Sequence, residues 1–462
     1  MNERISRRRL QLLLQHANDS QTALLEIARR FETGGVIGTE AIRRLRSVLA
    51  PQVRRLLHAL AAQVVVGTEV SEIGAGLLCT AVRISEFVFS RDERAQWFES
   101  FHPAAISFKE RGLRGRFLGN YGNALAECGR LDDAEIILKE RLQCAVDQVD
   151  QAGEGLAKEH LGKLLLRRGR LAEAYTQLTE AFTIATKLQE EATVTRLLKD
   201  MADAAFRREE IDAGVKLLEE RLRRCEAAGD SLLVLSTCQV LAERLLDSGR
   251  LEQCKPFAAK AATVARQLRF PIQLAAIQGT LGNIALEEQK FDTAKKHFAR
   301  ARRIFRKLGR IVEQGKTASS LGQVAWKMGK HNRAIRWFRA AIEVDKGVGR
   351  KNDLAIDLGS LAGVLSEIGD ISGAMDCYAE RIEILDAIAE HERAAETRLT
   401  LARFSAAVGE FEAAISMGEK ALQYFSDQAN PRSAEIKLLV VQWRNQSARP
   451  IAARSNRHEL LR

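Results

Sequence analysis

A small residue recurs every forty positions from Gly122 onward: Gly122, Gly162, Ala202, Ala242, Gly282, Gly322, Ala362 and Ala402. An apolar residue precedes each, from Tyr121 and Leu161 through to Leu401. Twelve positions later lies a second small column, Ala134, Ala174, Gly214, Cys254, Ala294, Ala334, Ala374 and Ala414. A period of this length, held through eight units, means one supersecondary unit stacked on copies of itself. Such an array builds surface and not a closed pocket, so the chain is expected to bind a partner without transforming it.

The small columns have a physical cause. Glycine inside a helix costs roughly 0.5–1 kcal/mol against alanine. Four units accept that cost at one position, which requires another helix to cross there closely. The first column is expected to receive the unit's own second helix, and the second column to meet the next unit. Between the two columns, Gly129, Gly169, Gly249, Gly329, Gly369 and Gly409 mark a helix-ending turn in six of the eight units. Glycine tolerates the left-handed conformation that closes a helix. Glu209 and Gln289 stand there in the other two, so those turns are expected to be less regular.

Larger residues fill the gaps, among them Leu138, Leu178, Leu218, Phe298, Phe338 and Tyr378 at one shared position. The small-large-small pattern of Tyr121–Leu138, YGNALAECGRLDDAEIIL, and of Leu321–Phe338, LGQVAWKMGKHNRAIRWF, resembles the tetratricopeptide-repeat family. The resemblance covers 114–427, about two thirds of the chain. It implies an all-α, right-handed superhelical solenoid of helix-turn-helix units. The period of forty replaces the usual 34, which is similar to the longer-helix variant of signalling adaptors and of the sensor regions of bacterial signal-transduction ATPases. A third small column, Ala181, Ala261, Ala301, Ala341 and Ala421, is interrupted by Arg141, Arg221 and Arg381. These arginines are expected to snorkel or to pair with nearby glutamates.

The organisation that follows is a basic helical region at 1–70 and a degenerate transition unit at 71–113. Eight repeats fill 114–430, a capping helix covers 431–446, and a basic tail occupies 447–462. In the first region Thr39 is placed as the cap of a helix ending near Pro51, with a further helix from Val53 to about Val66. The capping assignment rests on Ile436, Leu439, Val440 and Trp443, which share one helical face. The net charge of +11 is concentrated at the ends, +6 in residues 1–60 and +4 in residues 444–462, leaving the body near neutral.

Seven scattered cysteines, odd in number and without a C-x-x-C pair, disfavour a disulfide framework or a zinc site and fit a reducing compartment. Met1–Leu14 has arginines but no apolar run of signal-peptide length, and Thr68, Glu69 and Glu72 interrupt the following apolar stretches. A cytoplasmic protein without membrane association is expected. The segment Gly309–Thr317, GRIVEQGKT, has five residues between its glycines where a phosphate loop needs four. His391-Glu392 lacks the second histidine of a zinc-protease helix, and the eight histidines have no metal spacing. No enzyme activity, cofactor or metal is expected.

In the family, first helices line the concave face and take extended or helical peptides. The position after the first small column is expected to project into that groove, giving Asn123, Lys163, Asp203, Glu243, Asn283, Gln323, Gly363 and Arg403. Three positions earlier lies a second row that includes Asn120, His160, Asp200 and Ser320. Asn and Gln can satisfy both main-chain groups of a peptide. Arg196 and Lys199 lend the early repeats positive charge, Glu243, Asp247 and Glu287 make the middle acidic, and Trp326 is placed as an apolar anchor. The Lys/Asn clamp of chaperone-tail binders is not reproduced, since only Lys199 matches and Asp203 follows it. The partner-binding set is therefore Asn120, Asn123, Lys163, Arg196, Lys199, Asp203, Glu243, Asn283, Gln323, Trp326 and Arg403. A protein or peptide in the groove is the leading expectation. The alternative is a nucleic-acid-associated regulator, or contact with an acidic protein, through Arg7, Arg8, Arg9, Arg43, Arg44, Arg46, Arg54 and Arg55.

Overall fold

The computed structural model describes residues 11–12, 15–17, 19, 50–61, 68–82, 90–108 and 111–448. Among them are twenty α-helices, one 3-10 helix and no strand. The chain divides into two compact units, 1–229 and 230–462.

In the first unit, α1 (Ala50–Ala61), α2 (Thr68–Val82) and α3 (Arg91–Phe101) precede a short 3-10 helix, His102–Ser107. Pro51 lies in the first turn of α1, where its missing N–H removes no hydrogen bond. The helix expected from Thr39 to near Pro51 falls, except for its last residues, outside the described residues. Ser90 caps α3 through a reciprocal pair of bonds with Glu93. Three regular hairpins follow: α4 (Arg111–Glu127) with α5 (Leu131–Asp147), α6 (Gln151–Arg167) with α7 (Leu171–Lys187), and α8 (Glu191–Arg207) with α9 (Ile211–Ala227).

The second unit repeats the same hairpin. It comprises α10 (Ser231–Asp247), α11 (Leu251–Gln267), α12 (Pro271–Glu287), α13 (Phe291–Lys307), α14 (Ile311–Lys327) and α15 (His331–Val348). Then come α16 (Lys351–Glu367), α17 (Ile371–Ala387), α18 (His391–Ala407), α19 (Phe411–Asp427) and α20 (Arg432–Ser447).

Every regular helix starts twenty residues after the last because each ends in the same way. At the close of α4, the Gly129 N–H donates to Ala126 O and the Arg130 N–H to Leu125 O, with Gly129 at φ 80°. This double bond, the Schellman motif, satisfies carbonyls that the helix itself leaves free. The next link repeats it, Val149 to Val146 O and Asp150 to Ala145 O, with Val149 at φ 54°. Glu209 and Gln289 adopt φ 64° and 59°. Their turns are as regular as the glycine ones, contrary to the expectation, and the side chains bear the strain. Where Asp150, Asp230 and Asp370 precede a helix, their carboxylates accept the N–H groups of Gly153, Leu233 and Gly373.

Packing follows the small columns. A Cβ on Gly122 would lie 2.6 Å from Leu138 of its partner helix, and one on Gly322 would lie 2.8 Å from Phe338. The second column serves the same hairpin at Gly214, where a Cβ would meet Phe206 of α8 at 2.8 Å. There it does not face the next unit as expected. Phe98, Phe101 and Phe117 are fully buried in the first unit, as are Phe298 and Phe338 in the second. The last hairpin, α18 and α19, is covered by α20, whose Ile436, Val440 and Trp443 are buried. Trp443 and Val440 close over Gly418, and a Cβ there would lie 2.8 and 2.9 Å from them. Burying each such side chain is worth about 1.5–3 kcal/mol.

Candidate functional site

The first helices present a row of accessible polar groups in both units. Gly122, Gly162 and Ala202 are buried against their partner helices, while Asn123, Lys163 and Asp203, one residue on, are half-buried. In the second unit Ala242, Gly282, Gly322, Ala362 and Ala402 are buried. There Glu243, Asn283 and Arg403 are exposed, and Gln323 and Gly363 half-buried. A first helix buries its small-residue face, and the next residue, turned about 100° around the axis, reaches solvent.

In the first unit the row is organised by a residue that sequence reasoning passed over. Glu159 of α6 is 1% exposed, and its two oxygens accept from Arg196 of α8 at 2.7 and 2.8 Å. Lys163, one turn on, donates to it at 2.5 Å and lies 3.1 Å from Asp200. Burial pushes the Glu159 carboxyl up, but Arg196 and Lys163 prevail and hold it at about 2. Asp200 is raised by burial, against the pull of Lys163. Arg196 and Lys163, both in the expected binding set, are thus gathered on one buried carboxylate. Lys199 stays exposed, Asn120 is half-buried and Asp203 has partners of its own.

Beside this cluster His160 has Arg141 Nη1 2.6 Å from its Nδ1 and Asn123 Nδ2 3.4 Å away. Burial first, and the Arg141 charge second, lower His160 to about 3, so it is neutral at physiological pH. The guanidinium of Arg141 occupies the space that a Cβ on Gly119 would fill, and Arg381 does the same over Gly359. Burial lowers Arg141 to about 10. Arg221 Nε donates to the Thr195 carbonyl at 3.1 Å. Arg141 and Arg221 are buried, so the expectation that they snorkel gives way to inward packing.

In the second unit Asn283 and Glu287 of α12 face Asp247, Leu246, Gly249 and Leu251 across a cavity of about 380 Å³. Desolvation, and then the Asp247 charge, raise the nearby Glu243 carboxyl. Trp326 is engaged within the protein. Its Nε1 donates to Glu367 at 2.7 Å, its ring lies where a Cβ on Gly363 would stand, and it meets Phe338 edge-on. Arg403 pairs with Glu435 of α20 at 3.0 Å. Of the alternative arginine set, Arg7, Arg8, Arg9, Arg43, Arg44 and Arg46 lie outside the described residues, as does the tail beyond 448. Arg54 is paired with Glu93 at 3.0 Å and Arg55 is exposed. Lys316 and Thr317 of the GKT segment sit inside α14, where the Thr317 hydroxyl donates to the Glu313 carbonyl. Among the described residues no helix is long and apolar enough to cross a membrane.

The family model of the tetratricopeptide repeat matches residues 273–347, which are the two successive hairpins α12–α13 and α14–α15. The same helix lengths, left-handed links and small slots recur in the other hairpins. Residues 273–347 are tetratricopeptide repeats, and the other hairpins share their fold. Among solved structures, this chain is similar to a signal-transduction ATPase with numerous domains and a tetratricopeptide-repeat sensor, from Pyrococcus horikoshii. That likeness has 13% identity and a TM-score of 0.54, over 81% of this chain and 55% of that one. It is also similar to aspartyl phosphate phosphatase F from Bacillus subtilis, with 11% identity and a TM-score of 0.49, over 76% and 95% of the two chains. A Rap protein complexed with competence and sporulation factor gives 14% identity and a TM-score of 0.45, over 82% and 100%. Likeness at these identities is a likeness of fold. No curated protein matches the sequence.

Proposed function

We propose that this protein is a non-enzymatic adaptor or sensor subunit that captures a segment of a partner protein along its first helices, within residues 114–430. The observation that carries the reading is the accessible polar row of Asn123, Lys163, Asp203, Glu243, Asn283, Gln323 and Arg403, each next to a buried small residue. Main-chain recognition falls to Asn123, Asn283 and Gln323, whose amides can donate and accept. Within the second unit the Asp247, Asn283 and Glu287 cleft suits a cationic side chain, and within the first unit Arg196 and Lys163, gathered on Glu159, suit a carboxylate.

The test is affinity capture of the full chain from its native host, with cross-links mapped by mass spectrometry. A variant carrying Asn123→Ala, Asp247→Ala, Asn283→Ala and Glu287→Ala is compared with the parent. Trp326 is kept, because its indole holds α14 against α16 and its loss would damage packing. A partner segment cross-linked to the first helices, and captured at least tenfold less by the variant at unchanged helicity, is the expected result. Capture at parental level would discard the reading.

A further inference from the structure

The near-neutral body conceals one strongly uneven helix. In α13, Lys295, Lys296, Arg300, Arg302, Arg303, Arg306 and Lys307 face a lone acid, Asp292. Helical spacing sets Lys295, Ala299, Arg302 and Arg306 in one stripe, at i, i+4, i+7 and i+11. That stripe borders a cavity of about 240 Å³ between α13, α14 and α15. Leu321, Val324 and Met328 of the α14 hairpin make its apolar floor, and Trp337 of α15, with Arg302 over its ring, borders it. Arg303, Lys330 and Arg333 complete a rim of six cations with Lys295, Arg302 and Arg306. Among the described residues none of the six forms an ion pair with a carboxylate. On the rest of this protein arginines are commonly paired, as Arg170 with Glu135 or Arg310 with Glu313. Arg302 is also partly desolvated over the Trp337 ring, 4.7 Å from its centroid, and its buried Nε has no hydrogen-bond partner. Burial and the Arg306 charge together lower its affinity for its proton, a repulsion that a bound anion would relieve.

From this placement we infer that the cavity between α13, α14 and α15 is a docking site for a short acidic peptide that carries one apolar side chain. The floor takes the apolar group and the rim takes carboxylates on either side of it. Lys295 to Arg306 spans about 16 Å of helix, the reach of roughly five extended residues. A nucleic acid fits less well, because the Trp337 face is already covered by Arg302 and leaves no platform for a base. No residue of the polar row of the first helices lines this site, so it stands or falls separately from the groove.

The experiment is fluorescence anisotropy with the full-length protein and a labelled Asp-Glu-Asp-Phe-Glu-Asp peptide. Controls are the same peptide with Phe replaced by Gly, its Lys-for-acid counterpart, and a hexanucleotide single strand. Saturable binding of the acidic Phe peptide is expected, at least tenfold weaker for the Gly form and absent for the Lys form. Arg303→Glu with Arg306→Glu should weaken it at least tenfold. Ala299→Glu, an exposed helix position at the cavity edge, should do the same without disturbing the core. Circular dichroism of both variants confirms folding. The inference is overturned by parental affinity in both variants, by equal binding of Phe and Gly peptides, or by the hexanucleotide binding more tightly than the peptide. Sedimentation showing a dimer that Ala299→Glu dissociates would assign the face to a second copy, and would overturn it too.

Discussion

Gly322→Ala should destabilise the protein although alanine is the better helix former. A Cβ at this position would lie 2.8–3.0 Å from three ring carbons of Phe338. Ordinary carbon contacts lie near 3.5–4.0 Å, so the overlap is roughly 0.5–1 Å. Phe338 is fully buried within a hydrophobic cluster, so its ring cannot turn out to solvent. Overpacking of this kind typically costs about 1–3 kcal/mol, against a propensity gain of about 0.5–1 kcal/mol. The net loss then lies between about 0 and 2.5 kcal/mol. Gly279 is the control, because a Cβ there meets nothing within 4 Å. Gly279→Ala should stabilise by about 0.5–1 kcal/mol. Adding Phe338→Ala to Gly322→Ala should remove the clash, since the chain already pairs Ala242 with Ala258 at the equivalent positions. The coupling between the two changes is expected at about 1–2 kcal/mol. Urea unfolding followed by circular dichroism gives the midpoint shifts. Amide exchange in α14 and α15 localises them, as a repeat array need not unfold in one step. If Gly322→Ala stabilises as much as Gly279→Ala, close helix crossing is not what selects glycine in this column.

Glycine in place of Glu209, Gln289 or Val149 should stabilise its link, because each holds a left-handed φ that costs an ordinary residue about 1–2 kcal/mol; a lowered urea midpoint for all three would contradict the assigned turns. Asp357 is buried, accepts a hydrogen bond from Ser319 at 2.5 Å, and is pushed up to about 6 by burial and, less strongly, by Asp345. Its folded pKa exceeds the ordinary 3.8, so folding is unpenalised below pH 4 and loses stability as pH rises from 4 to 6. Asp357→Asn should therefore raise stability by roughly 1–3 kcal/mol at pH 7.5 and leave it unchanged at pH 3.5, read from urea midpoints. The first unit responds in the opposite sense: His160, lowered to about 3, destabilises folding as pH falls from 6.5 toward 3, and Glu159, at about 2, does so from 4.5 downward. His160→Gln should flatten the pH 4–6.5 part of that loss, measured by amide exchange in α6.

The repeat was legible because its signals are local and periodic. Gly122 and its equivalents, the turn glycines and the apolar neighbours each report on one hairpin, and forty-residue averaging makes them plain. The polar row after Gly122 was legible for the same reason. Other features needed the third dimension. Glu159 stands at a position that is Gly119 or Gly279 elsewhere, and only Arg196, thirty-seven residues later, explains its burial. Trp326 has the composition of an anchor, but Glu367 and Gly363 of the next first helix claim its edge and face. The rim around Arg302 vanished in a near-neutral sum, since acids on other helices balance it in number while lying elsewhere.

From α4 to α19 the helix ends close with hydrogen bonds drawn from their own last turns, at a spacing of twenty residues. No neighbouring hairpin is needed to complete that closure. A crossover that removes or duplicates forty residues, cut at equivalent points, would therefore rejoin a helix in phase and leave every remaining terminus intact. The gene for such a chain can lengthen or shorten its array by recombination without having to relearn how to fold.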